Sequence, residues 1–105
     1  MFGTIHVDLV VFGVVKKRHL KWIEINLDSI RSNIEWTRSR LARGVKVMAV
    51  VKADAYGHGA LPVARKAVET GVSSLGVLTL REAEALRRGG IKSAIQTLSP
   101  ILPEE

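Results

Sequence analysis

Hydrophobic and polar residues alternate in one segment of the chain and then change to a helical spacing. Residues 22–27 alternate apolar with polar side chains, which is the period of a half-buried strand. Asp28 offers a side-chain oxygen for capping a helix. Apolar side chains then recur every three or four residues until Gly44, a residue type that commonly ends helices. This pattern predicts a strand followed by an amphipathic helix.

Strands and helices continue to alternate along the rest of the chain. The predicted elements are, in chain order, a strand at 45–51, a loop at 52–59, a helix at 60–70, a strand at 75–78, a helix begun by Thr79 and ended by Gly89 and Gly90, and a strand at 94–98. Sequential strand–helix units build parallel sheets with right-handed crossovers. We therefore expect an α/β domain whose four strands form a parallel sheet, either doubly wound or part of a (β/α) barrel.

An apolar stretch at residues 7–15 is followed, and not preceded, by the basic residues 16–18. A secretory signal carries its positive charge before the apolar run. The stretch is also interrupted by Asp8 and Gly13, and it is shorter than the ~20 residues that a membrane span needs. We expect an additional strand or an upstream extension here, and a soluble, cytoplasmic protein with no membrane partner.

The chain is basic, with 16 Lys and Arg residues against 10 Asp and Glu residues and a net charge of +6. Such a balance fits an anionic partner, either a nucleic acid or a phosphorylated small molecule. The basic residues are spread along the chain, and several fall near predicted helix ends, where a cation stabilises the helix dipole. This distribution favours solvated helix ends over a nucleic-acid-binding face, so no nucleic-acid partner is expected.

Cysteine is missing from the sequence, which excludes a disulfide framework and a thiolate metal site. The three histidines, His6, His19 and His58, do not have the spacing of metal ligands. No metal site is expected.

The chemically informative stretch is residues 50–59, where an apolar strand is followed by Lys52 and a loop with two glycines. In parallel α/β folds, ligands bind at this carboxyl edge of the sheet. Partial desolvation beside the strand favours the neutral amine of Lys52, which attacks an aldehyde to form a Schiff base. Tyr56 brings a hydroxyl within reach of an anion near the lysine. A plain alternative is that Lys52 extends into solvent and Tyr56 packs with its hydroxyl exposed; the residues alone leave both open.

Residues 52–59 read K-A-D-A-Y-G-H-G, which closely resembles the cofactor-lysine signature of the alanine racemases over eight consecutive positions. The flanks at 22–30 and 75–87 resemble the family as well. The resemblance extends over residues 18–105 and leaves 1–17 as an unassigned extension. Asn26 stands where the family usually has Asp.

The resemblance implies an N-terminal TIM-type (β/α) barrel that binds pyridoxal 5'-phosphate and racemises L-alanine and D-alanine, which supplies D-alanine for peptidoglycan precursors. Lys52 would form the Schiff base with the cofactor and act as one of two bases. Tyr56 would donate a hydrogen bond to the cofactor phosphate, and His58 would support the loop. The family further implies a homodimer, in which a tyrosine from the C-terminal domain of the other subunit is the second base.

A complete (β/α) barrel takes about 250 residues, so residues 18–105 are expected to form its first part, without the C-terminal β-domain. Tyr56 is the only tyrosine in the sequence, so the second base is missing, and we expect the isolated chain to be inactive and to self-associate. Two alternatives are a serine or broad-specificity racemase of the same fold, and a non-catalytic fragment that acts at most as an interaction module.

Overall fold

The computed structural model of the chain describes residues 4–7 and 23–104. Its elements are, in chain order, β1 (Thr4–Val7), β2 (Ile23–Asn26), α1 (Leu27–Ser39), β3 (Met48–Val50), α2 (Lys52–Tyr56), α3 (Ala60–Glu69), β4 (Ser74–Val77), α4 (Leu80–Arg88) and β5 (Ala94–Thr97). Strand β1 shares only Val7 with the apolar stretch at 7–15, so the additional strand expected there stays a prediction. The rest of the apolar stretch at 7–15 and the basic residues 16–18 lie outside the described residues.

Strands β3, β4 and β5 form a parallel sheet in that order. In its register, Ala49 pairs with Leu75, and Leu75 pairs with Ile95. The predicted parallel pairing is therefore confirmed for these three strands. Their predicted bounds differ from the observed ones mainly in β3, which has three residues instead of the seven expected at 45–51.

Strand β2 does not continue the parallel sheet, which corrects the expectation of four parallel strands. It pairs antiparallel with β1, and Ile25 lies opposite Ile5. The physical reason is that β1 offers hydrogen-bond partners to one edge of the β2 backbone, in register over all four residues. The four-residue strand then leads directly into α1.

Helix α1 begins and ends earlier than the sequence pattern predicted. Asn26, and not Asp28, caps it, because Asn26 Oδ1 accepts hydrogen bonds from the N–H groups of Asp28 (2.9 Å) and Ser29 (3.1 Å). The helix ends at Ser39, well before Gly44. Leu41, which continues the apolar spacing, is 39% exposed and so adds no buried contact that would extend the helix.

A single apolar core lies between the parallel sheet and the helices. Its buried members are Val51, Ala55, Ala64, Ala67, Val72, Leu75, Val77, Leu86 and Ile91, and Ile34 of α1 packs against them. Ala64 and Ala67 of α3 and Leu75 and Val77 of β4 are fully or nearly fully buried, so α3 approaches the sheet closely. The three long helices therefore pack on the same face of the sheet.

The opposite face of the sheet carries apolar side chains that the described residues leave uncovered. Met48, Val50 and Leu98 surround the bare backbone of Gly76 on this face, and Val50 and Leu98 are 37% and 44% exposed. A doubly wound sheet has helices on both faces, whereas a (β/α) barrel has them only outside. The described part therefore matches a segment of a barrel. None of its helices has the length and apolar character required to cross a membrane.

Candidate functional site at the carboxyl edge of the sheet

Lys52 follows directly after β3 at the carboxyl edge of the parallel sheet. The preceding residue, Val51, is 1% exposed, and its N–H donates to the carbonyl oxygen of Gly76 at 2.8 Å. This backbone bond fixes the chain immediately before the lysine to the neighbouring strand. Lys52 itself is half-buried. The strand therefore holds the backbone of Lys52 at the sheet edge where ligands of parallel α/β folds bind.

The predicted loop at 52–59 contains a short helical turn, α2, whose backbone is left-handed. The φ angles of Ala53, Asp54, Ala55 and Tyr56 lie between 51° and 56°, in the left-handed region, although none of these residues is glycine. Left-handed helical backbone costs roughly 1–2 kcal/mol per residue for L-amino acids. The sequence predicted a loop at 52–59, whereas the structure has four non-glycine residues with left-handed backbone, followed by Gly57 and Gly59 at φ angles of +85° and +93°.

Several contacts hold the left-handed turn in place. Ala55 is 5% exposed and belongs to the apolar core, and its N–H donates to the carbonyl of Val51 at 2.9 Å. Asp54 Oδ1 accepts the N–H of Ala60 at 2.8 Å. Because α3 has Gly59 at its N-cap and no capping side chain there, Asp54 takes over this role from six residues upstream. Backbone strain that the surroundings hold in this way is frequent at functional sites.

The structure brings Lys52 and Tyr56 together on the turn. Lys52 Nζ lies 5.9 Å from the centroid of the Tyr56 ring, near the outer limit of about 6 Å for a cation–π contact. Tyr56 is 62% exposed, so its hydroxyl is open to a ligand. His58 is exposed, and its Nδ1 lies 3.0 Å from the carbonyl oxygen of Ala55. The histidine ring therefore contacts its own loop.

The sequence pattern did not predict the contribution of Glu82, in α4, to this site. Its Oε1 accepts the N–H of Ala53 at 2.8 Å, and its Oε2 accepts the N–H groups of Leu78 at 2.6 Å and Thr79 at 3.1 Å. The hydroxyl of Thr79 accepts the N–H of Glu82 at 3.2 Å, which confirms Thr79 as the N-cap of α4. The Thr79-x-x-Glu82 spacing is that of a capping box, but no local pattern reveals the bond to Ala53.

The Glu82 carboxylate is stabilised in its charged form. Burial raises its pKa, but the N–H groups of Ala53, Thr79 and Leu78 and the nearby Lys52 ammonium together lower the pKa by more, so that it falls below its ordinary value. Glu82 is therefore an anion at neutral pH and adds a negative charge beside Lys52.

A mostly apolar cavity of about 340 Å³ lies behind the turn, between α3 and α4. Val51, Leu61 and Leu86 form part of its wall, together with Asp54 and Glu82. Lys52 and Tyr56 are not among its lining residues, so this cavity and the exposed edge that carries the amine are separate spaces.

Comparison with known proteins gives one consistent family. The family model described as alanine racemase, N-terminal domain, matches residues 25–105. The alanine racemase of Methylacidiphilum infernorum is 46% identical over 84 residues, which are 80% of this chain and 22% of that protein. The alanine racemase of Desulforamulus reducens is 50% identical over 84 residues, 80% of this chain and 23% of that protein. The chain thus spans about a fifth of the length of these relatives.

Solved structures agree with the sequence relatives. The Bacillus anthracis alanine racemase with bound L-Ala-P matches with a TM-score of 0.72 and 43% identity, over 73% of this chain and 20% of that one. The Streptomyces lavendulae enzyme matches with a TM-score of 0.65 and 46% identity over the same shares. These matches confirm the resemblance inferred from residues 52–59, and the predicted α/β fold with part of a TIM-type barrel.

Proposed function

Because the chain belongs to the alanine racemase N-terminal domain family, we propose that it provides the cofactor-lysine part of an enzyme that interconverts L-alanine and D-alanine with pyridoxal phosphate. The observation that carries the proposal is the half-buried Lys52 at the carboxyl end of β3, whose Nζ lies 5.9 Å from the ring centroid of the exposed Tyr56. Alanine is the proposed substrate because the relatives are named alanine racemases.

The groups at this edge fit pyridoxal phosphate in their chemistry. A primary amine held by a strand end suits the aldehyde carbon, and an exposed phenol suits a phosphate oxygen as hydrogen-bond donor. When bound, the cofactor supplies a conjugated ring that draws electron density away from the α-carbon of an amino acid. Lys52 would hold the cofactor, and Tyr56 would donate to its phosphate.

Racemisation requires a proton to leave one face of the α-carbon and another to arrive on the opposite face. Lys52 Nζ is the proposed carrier of the proton on one face. Tyr56, the only tyrosine in the sequence, is assigned to the phosphate, so we assign the opposite face to a residue of the whole enzyme that these 105 residues do not include, contributed by the partner subunit of a homodimer. A cytoplasmic setting suits this metabolite chemistry.

Chemical trapping tests the assignment of Lys52. The chain is incubated with pyridoxal phosphate, reduced with borohydride and digested, and the labelled peptide is identified by mass spectrometry. We expect the label on Lys52, and its loss in Lys52→Ala. The matched control is Lys92→Ala, which removes an exposed lysine just before β5, at the amino edge of the sheet, and should leave the label in place. Equal labelling of Lys52 and the surface lysines would overturn the proposal.

The 105-residue chain on its own is expected to show no conversion of L-alanine to D-alanine, because its described residues present a proton carrier on one face only. The assay is the appearance of D-alanine, measured with a D-amino-acid oxidase, in the presence of pyridoxal phosphate. A clear rate that Lys52→Ala abolishes would contradict this expectation and would show that the second base is not required from outside.

A further inference from the structure

The carboxylate of Glu82 joins two turns that lie side by side at the carboxyl edge of the sheet. One oxygen, Oε2, accepts the N–H groups of Leu78 and Thr79 at the start of its own helix α4. The other oxygen, Oε1, accepts the N–H of Ala53, which comes from the turn after β3. Glu82 is half-buried as a residue, and its three hydrogen bonds lie at the exposed edge. Hydrogen bonds to an ionised acceptor are roughly twice as strong as neutral ones.

The Glu82 carboxylate affects the position of Lys52 through its hydrogen bond to Ala53. It follows Lys52 directly in the chain and is the first residue with left-handed backbone, at a φ of 51°. That conformation is intrinsically unfavourable, so the turn relaxes unless other groups hold it. Within the described residues, the remaining hydrogen bonds of residues 52–59 stay inside the β3–α3 segment, whereas Glu82 ties the turn to the next strand–helix unit.

We propose that Glu82 is a positioning residue for Lys52, which fixes the backbone after the lysine so that the amine presents itself to the aldehyde of the cofactor. The inference rests on the proposed function, since it assigns Glu82 a task at the same site. It goes beyond a capping role in α4, because capping requires only the bonds to Leu78 and Thr79. The bond to Ala53 contributes nothing to the start of that helix.

Thr79 makes it possible to separate positioning from capping. The variant Thr79→Ala removes the hydroxyl that accepts the Glu82 N–H and weakens the same helix start, but it leaves the Glu82 carboxylate and the Ala53 bond in place. Glu82→Ala removes the carboxylate and, with it, the bond to Ala53. Glu84→Ala, on the same helix and exposed, controls for the loss of one negative charge. All three variants are made in the full 105-residue chain.

Two measurements are made on each variant. Amide hydrogen exchange, followed by NMR, reports the protection of the Ala53 N–H without any cofactor. The rate at which Lys52 is labelled by pyridoxal phosphate and borohydride reports the presentation of the amine. We expect Glu82→Ala to lower the protection of the Ala53 N–H and the labelling rate of Lys52 by about tenfold each, the size expected for one hydrogen bond to a charged group. Thr79→Ala and Glu84→Ala are expected to leave both within about twofold of the unaltered chain.

The outcomes distinguish this inference from the proposed function. Unchanged Ala53 protection in Glu82→Ala, or an equal loss of labelling in Thr79→Ala, would overturn the positioning role. Labelling at the original rate despite lost Ala53 protection would overturn it as well. If the unaltered chain carries no label on Lys52, the proposed function itself fails, and that result is visible before any variant is compared.

Discussion

At the scale of single residues, Ala53 to Tyr56 adopt an unfavourable backbone conformation that their surroundings stabilise. Four consecutive L-residues in left-handed backbone lose several kcal/mol, at roughly 1–2 kcal/mol each, relative to right-handed helix. The cost is offset because Ala55 enters the core and because Asp54 and Glu82 bind backbone N–H groups on either side. On this turn Lys52 Nζ lies 5.9 Å from the centroid of the Tyr56 ring.

Replacing Ala53 by glycine is expected to stabilise the chain. Glycine adopts positive φ without a Cβ clash, which regains roughly 1–2 kcal/mol, and it loses about 0.5–1 kcal/mol through the greater freedom of the unfolded chain. The net gain in the free energy of unfolding should be up to about 1 kcal/mol, measured by urea denaturation. Ala85→Gly, at an exposed position in right-handed α4, should instead lose about 1 kcal/mol. Equal losses in both variants would contradict left-handed backbone at Ala53.

The lowered pKa of Glu82 predicts a loss of stability in acid. A carboxyl group whose pKa is lower in the folded than in the unfolded chain stabilises the fold fully above the unfolded pKa, which is ordinarily 4.5. This contribution disappears as the pH falls through the lower, folded pKa. The unfolding free energy should therefore decrease below about pH 5. The unfolding free energy of Glu82→Gln should decrease less steeply in acid than that of Glu84→Gln. Identical dependence of the unfolding free energy on pH in the two variants would argue against the Glu82 interactions.

At the scale of whole elements, arginine side chains donate hydrogen bonds at and just after the carboxyl ends of helices. Arg38 of α1 donates to the carbonyl of Thr70 at the end of α3 (2.7 Å), and Arg65 of α3 donates to Gly89 at the end of α4 (2.7 Å). Arg87 donates to two carbonyls between α4 and β5. The bonds of Arg38 and Arg65 satisfy carbonyl groups that a helix end leaves without partners, and those of Arg87 hold the connection that follows α4. Part of the basic charge therefore serves helix ends, as its distribution in the sequence indicated.

Arg65→Ala is expected to loosen the contact between α3 and α4. It removes a hydrogen bond from a charged donor, so the free energy of unfolding should fall by about 1–2 kcal/mol in urea denaturation. Arg81→Ala is the control, because it removes an exposed cation from the first turn of α4, where positive charge does not favour the helix dipole. If the two variants lose stability equally, the bond to Gly89 is not what holds the two helices.

The elements differ in how far the sequence could predict them. Helix α4 was predictable because both halves of its capping box lie within four residues of sequence. The pairing of β2 with β1 was not, since an alternating pattern shows which face is buried and not which strand lies alongside. The cofactor roles of Lys52 and Tyr56 stay predictions, but the position of Lys52 at the strand end was predictable from the apolar run before it. Glu82 was not, because its bond to Ala53 spans 29 residues and depends on two neighbouring strands ending at the same edge.

At the scale of the whole molecule, the sheet has helices on one face and an apolar, uncovered surface on the other. The uncovered face carries Met48, Val50 and Leu98 around Gly76. In the described residues, β3 and β5 each pair with one strand only, so each presents an open edge. Open strand edges and exposed apolar faces favour association with another chain. In a closed barrel, this face would point inward and both edges would be paired.

The chain is therefore expected to self-associate as its concentration rises, with an increase in mass measured by size-exclusion chromatography and light scattering. Leu98→Gln should weaken association by about tenfold, because burial of a leucine contributes about 1.5–3 kcal/mol and Leu98 is already partly covered. Trp36→Gln removes a residue that is 60% exposed on α1, away from the sheet, and should leave the mass profile unchanged. A monomer at every concentration would show that the uncovered face does not drive contact between chains. An equal effect of the two substitutions would show that general surface hydrophobicity, and not the open side of the sheet, brings the chains together.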